Sequence, residues 1–206
     1  MLKSKMVEVV LFIFILKINW KINNFNKLKN IKRKLKILKN RKIKKKLNNF
    51  FDWVKGAELV ELKSCDVKED PVRPELDVVF RRSYGRKIFG VKYQKEICAI
   101  MCFGFTNKIP TTVKELDLMT RDAYLKSAHR DQNIGQIAIA YTIWSKKKGG
   151  GKLIVKEVFK MIKKSNHLSR LITLSPLTDM ARNFHLNNGA TELQVNEETQ
   201  NFEYKI

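Results

Sequence analysis

Residues 134–163 read IGQIAIAYTIWSKKKGGGKLIVKEVFKMIK, an apolar run, a basic glycine turn and an amphipathic run in succession. The spacing predicts a strand over 134–144, a turn over 146–152 and a helix starting near Gly151. Leu153, Ile154, Val158, Met161 and Ile162 fall on one side of that helix, at the period that buries one face. Three consecutive glycines at a strand-to-helix junction need a reason, because glycine loses the most backbone freedom on folding. One reason is the close approach of an anionic group to the backbone. A helix start presents unpaired N–H groups and a partial positive charge, and Lys146, Lys147, Lys148 and Lys152 add attraction around it. The bland alternative is a flexible, solvated surface turn. A nucleotide P-loop is excluded, since Lys152 is followed by Leu153 rather than Ser or Thr. A dinucleotide fold would need G-x-G-x-x-G and further βαβ units, and only one such unit is visible.

Working outward, charge divides the chain unevenly. The 206 residues carry a formal net charge of +22, which by itself suggests a nucleic-acid binder. Residues 1–50, however, hold 16 Lys and Arg against the single acid Glu8, a net of +15, and the remainder holds 26 against 19, a net of +7. The body is therefore only mildly basic, which suits an anionic small ligand as well as a polyanion. Cys65, Cys98 and Cys102 are odd in number and lack C-x-x-C spacing. That argues against a disulfide framework or a zinc site and fits a reducing, cytoplasmic compartment. His129, His167 and His185 are scattered and form no metal-ligand pattern.

The domain boundary is expected at 48/49. Residues 1–48 lack Gly, Ala, Pro, Asp and Thr. The apolar run 7–16 is too short to span a bilayer, which takes about 20 residues, and no small-residue cleavage site follows it. Residues 27–47 have the pattern of a basic helix suited to an anionic membrane or a nucleic acid. Their Lys, Asn, Ile and Phe are also the residues of A/T-rich codons, which fits upstream sequence translated from a mis-assigned start. The body, 49–206, opens on an aromatic lead-in over 50–53. Strands are expected at 58–63, 87–93, 97–106, 134–144, 170–174, 191–195 and 201–206. Helical segments are expected at 74–82, inside an insertion over 108–131, from Gly151 onward, and over 178–188 with Asn188-Gly189 as the stop. The sum is one α/β (α+β) domain with a single mixed sheet, parallel in its middle and antiparallel at its edges.

That order, with its glycine turn, resembles the GNAT (Gcn5-related) N-acetyltransferase family over residues 59–206. The family's acyl-CoA loop, Q/R-x-x-G-x-G/A, is matched by Lys146-Lys147-Lys148-Gly149-Gly150-Gly151, with Lys146 in place of Gln or Arg. The family's late helix, A-x-x-F-Y-x-x-x-G-F, is matched at Ala181, Phe184 and Gly189. The body also resembles small GNAT-like proteins of tailed phages. The resemblance implies the acyl-CoA N-acyltransferase fold and acetyl-CoA as cosubstrate. It places the pyrophosphate on the backbone from Lys148 through Gly149, Gly150 and Gly151 to Lys152, with Lys146 beside it. The pantetheine arm would pair with the strand that ends at Trp144, and 171–174 would form the facing wall.

The departures bear on catalysis. Neither 134–144 nor 171–174 contains a carboxylate, where many family members carry a Glu base. The helix tyrosine of the family is His185 here, an imidazole able to donate a proton near neutral pH. Tyr141 is the other candidate acid, and core packing is its bland reading. Asp117, Arg121, Asp122 and Tyr124 of the insertion, with Asp131 and Gln136, are candidates to line an acceptor site, and a solvated helix face is their bland reading. Three functions compete: acetyl transfer to a primary amine of a small molecule or protein; an inactive GNAT-like structural or interaction module, such as a phage virion component; and nucleic-acid binding through the N-terminal charge, ranked last for want of interleaved aromatics.

Overall fold

The computed structural model describes residues 41–128 and 135–205. The apolar run 7–16, most of the expected basic helix 27–47, and His129, Asp131 and Ile134 lie outside them. The chain falls into two units, Met1–Asp52 and Trp53–Ile206. Helix α1, Arg41–Gly56, runs through the position where the sequence places the boundary, and the expected aromatic lead-in is its last part. No helix among the described residues is long and apolar enough to cross a membrane.

In the second unit the elements follow the expected order. They are β1 (Glu58–Leu62), α2 (Val78–Arg82), β2 (Lys87–Tyr93), β3 (Glu96–Thr106), α3 (Val113–Ala128), β4 (Ile137–Ser145), α4 (Gly150–Lys163), β5 (Arg170–Thr173), β6 (Ser175–Pro176), α5 (Asp179–Asn187), β7 (Thr191–Val195) and β8 (Thr199–Tyr204). The strands form one eight-stranded mixed sheet in the order β1-β2-β3-β4-β5-β8-β6, with β7 on β8. Only β4 and β5 run parallel; every other pair is antiparallel. The one parallel pair is bridged by α4, as a parallel crossover requires.

Strand β3 is buried along nearly its whole length, as a central strand covered on both faces should be. Its alternation assigns the covers. At Gly104 an added Cβ would lie 2.4 Å from the Thr120 side chain of α3, whereas the Ala99 side chain faces Gly150 of α4. Residues 99 and 104 have opposite parity, so α3 and α4 lie on opposite faces. On the α3 face, Ile88, Ile100, Cys102, Leu116, Ile139 and Ile172 belong to one buried cluster. Two starts are fixed by caps. Thr112 Oγ1 accepts from Glu115 N at 3.1 Å while the Glu115 carboxylate accepts from Thr111, a capping box at α3. Thr178 Oγ1 accepts from Ala181 N and caps α5, and Gly189, at φ 89, ends it.

Candidate active site

The three glycines have three separate structural reasons. Gly149 is the N-cap of α4 with φ 84, the left-handed region that other residues enter at a cost. A Cβ on Gly150 would lie 3.0 Å from Ser145 Cβ and 3.1 Å from the Cys98 carbonyl oxygen. One on Gly151 would lie 3.2 Å from the Phe184 ring. The turn is thus shaped by its own neighbours, and Phe184, one of the family-matching positions of α5, packs on it. No side chain caps α4, so its start keeps the outward-pointing donors typical of a helix N-terminus.

Upstream of the turn, β4 loses its partner. It pairs with β5 from Ile137 to Ala140, opposite Arg170 to Thr173. Leu174 N then donates to Ala140 O at 2.8 Å, and the chain turns away, Ser175 and Pro176 pairing with β8 instead. Residues 141–145 keep β3 on one side and have no strand on the other among the described residues. The parting coincides with a bulge: Cys102 is opposite Thr142 and Phe103 is opposite Ala140, which leaves Tyr141 as the extra residue. Tyr141 and Thr142 therefore both point toward the α2 segment. The Tyr141 ring meets Phe80 edge-on at 6.0 Å, and Thr142 Oγ1 lies 2.8 Å from both carboxylate oxygens of Asp70.

Asp70 is the carboxylate that the strand itself lacks. It is fully buried, and its oxygens are taken: Arg81 Nη2 is 2.8 Å away, with both side chains at 0% exposure, and Val72 N and Arg73 N donate to Oδ1. Neutralised in this way it is a structural anchor rather than a base. Arg73 bridges the parting strands, its Nε donating to Tyr141 O at 3.0 Å and its Nη2 to Leu174 O at 3.3 Å. Asp70, Arg73 and Arg81 carry no local signal of these roles; Asp70 and Arg73 each simply precede a proline. Periodicity does not report which loop reaches across a sheet.

Two polar atoms of β4 are buried without a hydrogen-bond partner among the described residues, the Tyr141 hydroxyl and Trp144 Nε1. Such groups are rare, since an unmade buried hydrogen bond is costly. Burial pushes the Tyr141 phenol well above its ordinary pKa, so it stays protonated. Arg81 lies over the Trp144 ring, 5.5 Å from its centroid.

Around the turn, Lys146 Nζ is 2.6 Å from Glu69 Oε1, and Lys147 Nζ sits 4.4 Å from the Tyr93 ring centroid. Lys148 is exposed and Lys152 half-buried. Burial, then the neighbouring Lys156, lowers the pKa of Lys152, so this ammonium gains from an anionic partner.

His185 lies on the other wall and is 5% exposed. Its Nε2 is 2.8 Å from Ser175 Oγ and its Nδ1 is 2.9 Å from the Tyr204 hydroxyl. Ser175 Oγ is also 3.1 Å from Thr173 Oγ1, so the ring is held between two hydroxyls that can each donate or accept. Burial depresses its pKa to about 4, so the ring is neutral near pH 7.

The insertion residues divert elsewhere. Asp117 pairs with Arg86, Asp122 with Lys126, and Arg121 lies over the Tyr84 ring. Tyr124 is 38% exposed, and Gln136 is exposed. Among the described residues no group of three or more His, Cys, Asp or Glu side chains is placed to hold a metal ion.

No family model and no curated protein sequence matches the chain. Its neighbours among solved structures include GNAT acetyltransferases at low sequence identity. It is similar to malonyl-CoA decarboxylase from Cupriavidus metallidurans, at 20% identity and a TM-score of 0.40 over 63% of this chain, where it spans 33% of that protein. It is similar to an acetyltransferase from Bacillus subtilis in complex with CoA, at 12% identity and a TM-score of 0.49, covering 73% of this chain and 97% of that one. It is also similar to the GNAT domain of S. lividans PAT, at 11% identity and a TM-score of 0.47, covering 73% and 90%.

Proposed function

We propose that the unit Trp53–Ile206 is a GNAT-type N-acetyltransferase that moves an acetyl group from acetyl-CoA to a primary amine, in the cytoplasm. The observation that carries this reading is the continuity of two donor-rich features. The β4 edge, without a partner strand beyond Ala140 and with the Tyr141 carbonyl taken by Arg73, runs directly into a glycine-built helix start that no side chain caps. A free strand edge suits the two amides of a pantetheine arm, by the same pairing that adds a strand to a sheet. The helix start suits a pyrophosphate, with the amides of Gly151 and Lys152 as donors and the Lys152 ammonium beside them, since Gly150 N already donates to Lys147 O at 2.8 Å. Lys146 reaches that anion once its contact with Glu69 opens.

In this reading the bulge presents a β4 N–H to the thioester oxygen as the amine attacks, and stabilises the oxyanion. The Tyr141 phenol, protonated and without a partner, donates to the departing thiolate. His185, neutral and held between Ser175 and Tyr204, orders the Ser175 hydroxyl on the facing wall. Amine deprotonation falls to water, since Asp70 is committed to Arg81 and Thr142. That commitment is also what favours the second reading, a GNAT-like module that binds acyl-CoA without turnover and serves an interaction role, in a phage particle for instance.

The test is a calorimetric titration of acetyl-CoA, alongside free-thiol release with a panel of primary amines. Saturable binding is expected, weakened about 10-fold or more in Lys152→Glu if a charge-assisted contact is lost. No binding by the wild-type chain at millimolar acetyl-CoA would overturn the proposal. Binding without thiol release for any amine would select the second reading.

A further inference from the structure

We infer that the amine acceptor carries a carboxylate, and that Arg73 binds it where β4 and β5 part. This inference rests on the acyl-transfer reading and adds the chemical class of the acceptor. Among the described side chains, four arginines are buried or half-buried: Arg73, Arg81, Arg86 and Arg170. Three have a carboxylate partner. Arg81 pairs with Asp70, Arg86 with Asp117 and Arg170 with Glu203. Arg73 has none among the described residues. Its hydrogen bonds go to two neutral carbonyls, from Nε to Tyr141 O at 3.0 Å and from Nη2 to Leu174 O at 3.3 Å. A partly buried cation without an anion costs free energy, and such departures from local rules belong at functional sites. The carboxylates nearby do not relieve it. Asp70 is committed to Arg81 and Thr142, Glu69 to Lys146, and Glu75 is exposed. Burial lowers the Arg73 pKa, with Glu75 and then Asp70 opposing it, and the guanidinium stays charged.

The backbone of Arg73 is fixed by a buried ion pair. Its N–H donates to Asp70 Oδ1 at 3.2 Å, and its carbonyl accepts from Arg81 Nη2 at 2.7 Å and from Leu76 N at 3.2 Å. From this base the side chain reaches across to both parting strands. The side-on edge of the guanidinium, Nε with Nη2, is occupied by the two carbonyls. The end-on edge, Nη1 with the other Nη2 proton, is left over, and that fork matches the two oxygens of a carboxylate. The buried polar atoms without a partner include none of Arg73's, so Nη1, which makes no hydrogen bond among the described residues, stays accessible. The location fits an acceptor. In the acyl-transfer reading the thioester lies against β4 at the bulge, and Arg73 holds the carbonyl of the bulged residue, Tyr141. A carboxylate on the fork sets the acceptor beside the thioester, with its amine free to attack.

The experiment uses the full chain, acetyl-CoA, and glycine, β-alanine, γ-aminobutyrate and triglycine, each beside its own carboxamide. Acetyl-CoA binding is read by calorimetry, turnover by thiol release, and affinity by calorimetric titration of the N-acetylated acids and amides into the CoA-loaded chain. At least one acid should exceed its amide by about 10-fold or more in kcat/KM, the effect of a charge-assisted bond, and its acetylated form should bind with the same preference. A preference confined to triglycine assigns the carboxylate to a peptide C-terminus; a preference among the single amino acids assigns it to a free amino acid. Arg73→Gln should bring the acid-to-amide ratio close to one. A substitution that weakens acid and amide alike would make Arg73 a strut and overturn the inference. So would a wild-type chain that treats every acid and its amide equally in turnover and in binding, a comparison that needs no variant to fold. Acetyl-CoA that does not bind overturns the acyl-transfer reading and this inference with it, whereas bound acetyl-CoA without any acid preference overturns this inference alone.

Discussion

His185 sits between the hydroxyls of Ser175 and Tyr204, stacked on the Phe202 ring with centroids 5.0 Å apart. Its burial has a thermodynamic consequence. The folded-state pKa, about 4, lies below the unfolded value of about 6.5. The neutral ring is the form the fold accepts, so its contribution is complete above about pH 6.5 and is lost as pH falls toward 4. Linkage gives a loss of about 1.5 kcal/mol between pH 6.5 and 5, a window above most carboxylate titrations. Urea midpoints measured across that window should fall for the wild-type chain and stay nearly flat for His185→Gln. A wild-type profile as flat as the variant's would show that the ring is solvated. The sequence identified His185 by its place in a family motif; its burial and its two hydroxyl partners come from β6 and β8, elements that no local pattern ties to that helix.

The elements themselves follow local chemistry closely, and the exceptions are instructive. The capping box at Thr112 and Glu115, the Thr178 cap and the Gly189 stop all lie where their residue types place them, because a cap needs only neighbours within four residues. The β2–β3 hairpin is different. Tyr93 pairs with Glu96, so Gln94 and Lys95 make the turn, at φ 49 and 73, without a glycine or asparagine. Two-residue turns of this hand favour Asn-Gly because both positions need positive φ. Lys95→Gly should therefore stabilise the protein by about 0.5–1 kcal/mol by relieving left-handed strain, read as a rise in the denaturation midpoint. A fall would mean that the Lys95 side chain makes a compensating contact. The strand that the sequence runs from Ile134 to Trp144 is observed as Ile137–Ser145. What its apolar pattern could not report is the bulge at Tyr141. A bulge is a property of two strands in register, and the partner's register comes from packing on both faces.

At the scale of the molecule, charge is the feature read most directly. With +15 of the net +22 carried by residues 1–50, retention on DNA should belong to that segment. The full chain should elute from immobilised DNA at clearly higher salt than residues 53–206, with a steeper dependence on salt concentration. Equal elution of the two would assign the affinity to the body instead. The order of strands and helices, their approximate limits, the glycine turn and the positions of the caps were determined by the sequence alone, since periodicity, turn residues and capping act over a few residues. Only the tertiary structure decided that β5 parts from β4 at Ala140, that Asp70 brings a carboxylate to Thr142 and loses it to Arg81, and that Arg73 spans the gap. Each of these joins residues far apart in the chain. Their distance is fixed by how the sheet and its covering segments pack, which no single stretch of sequence encodes.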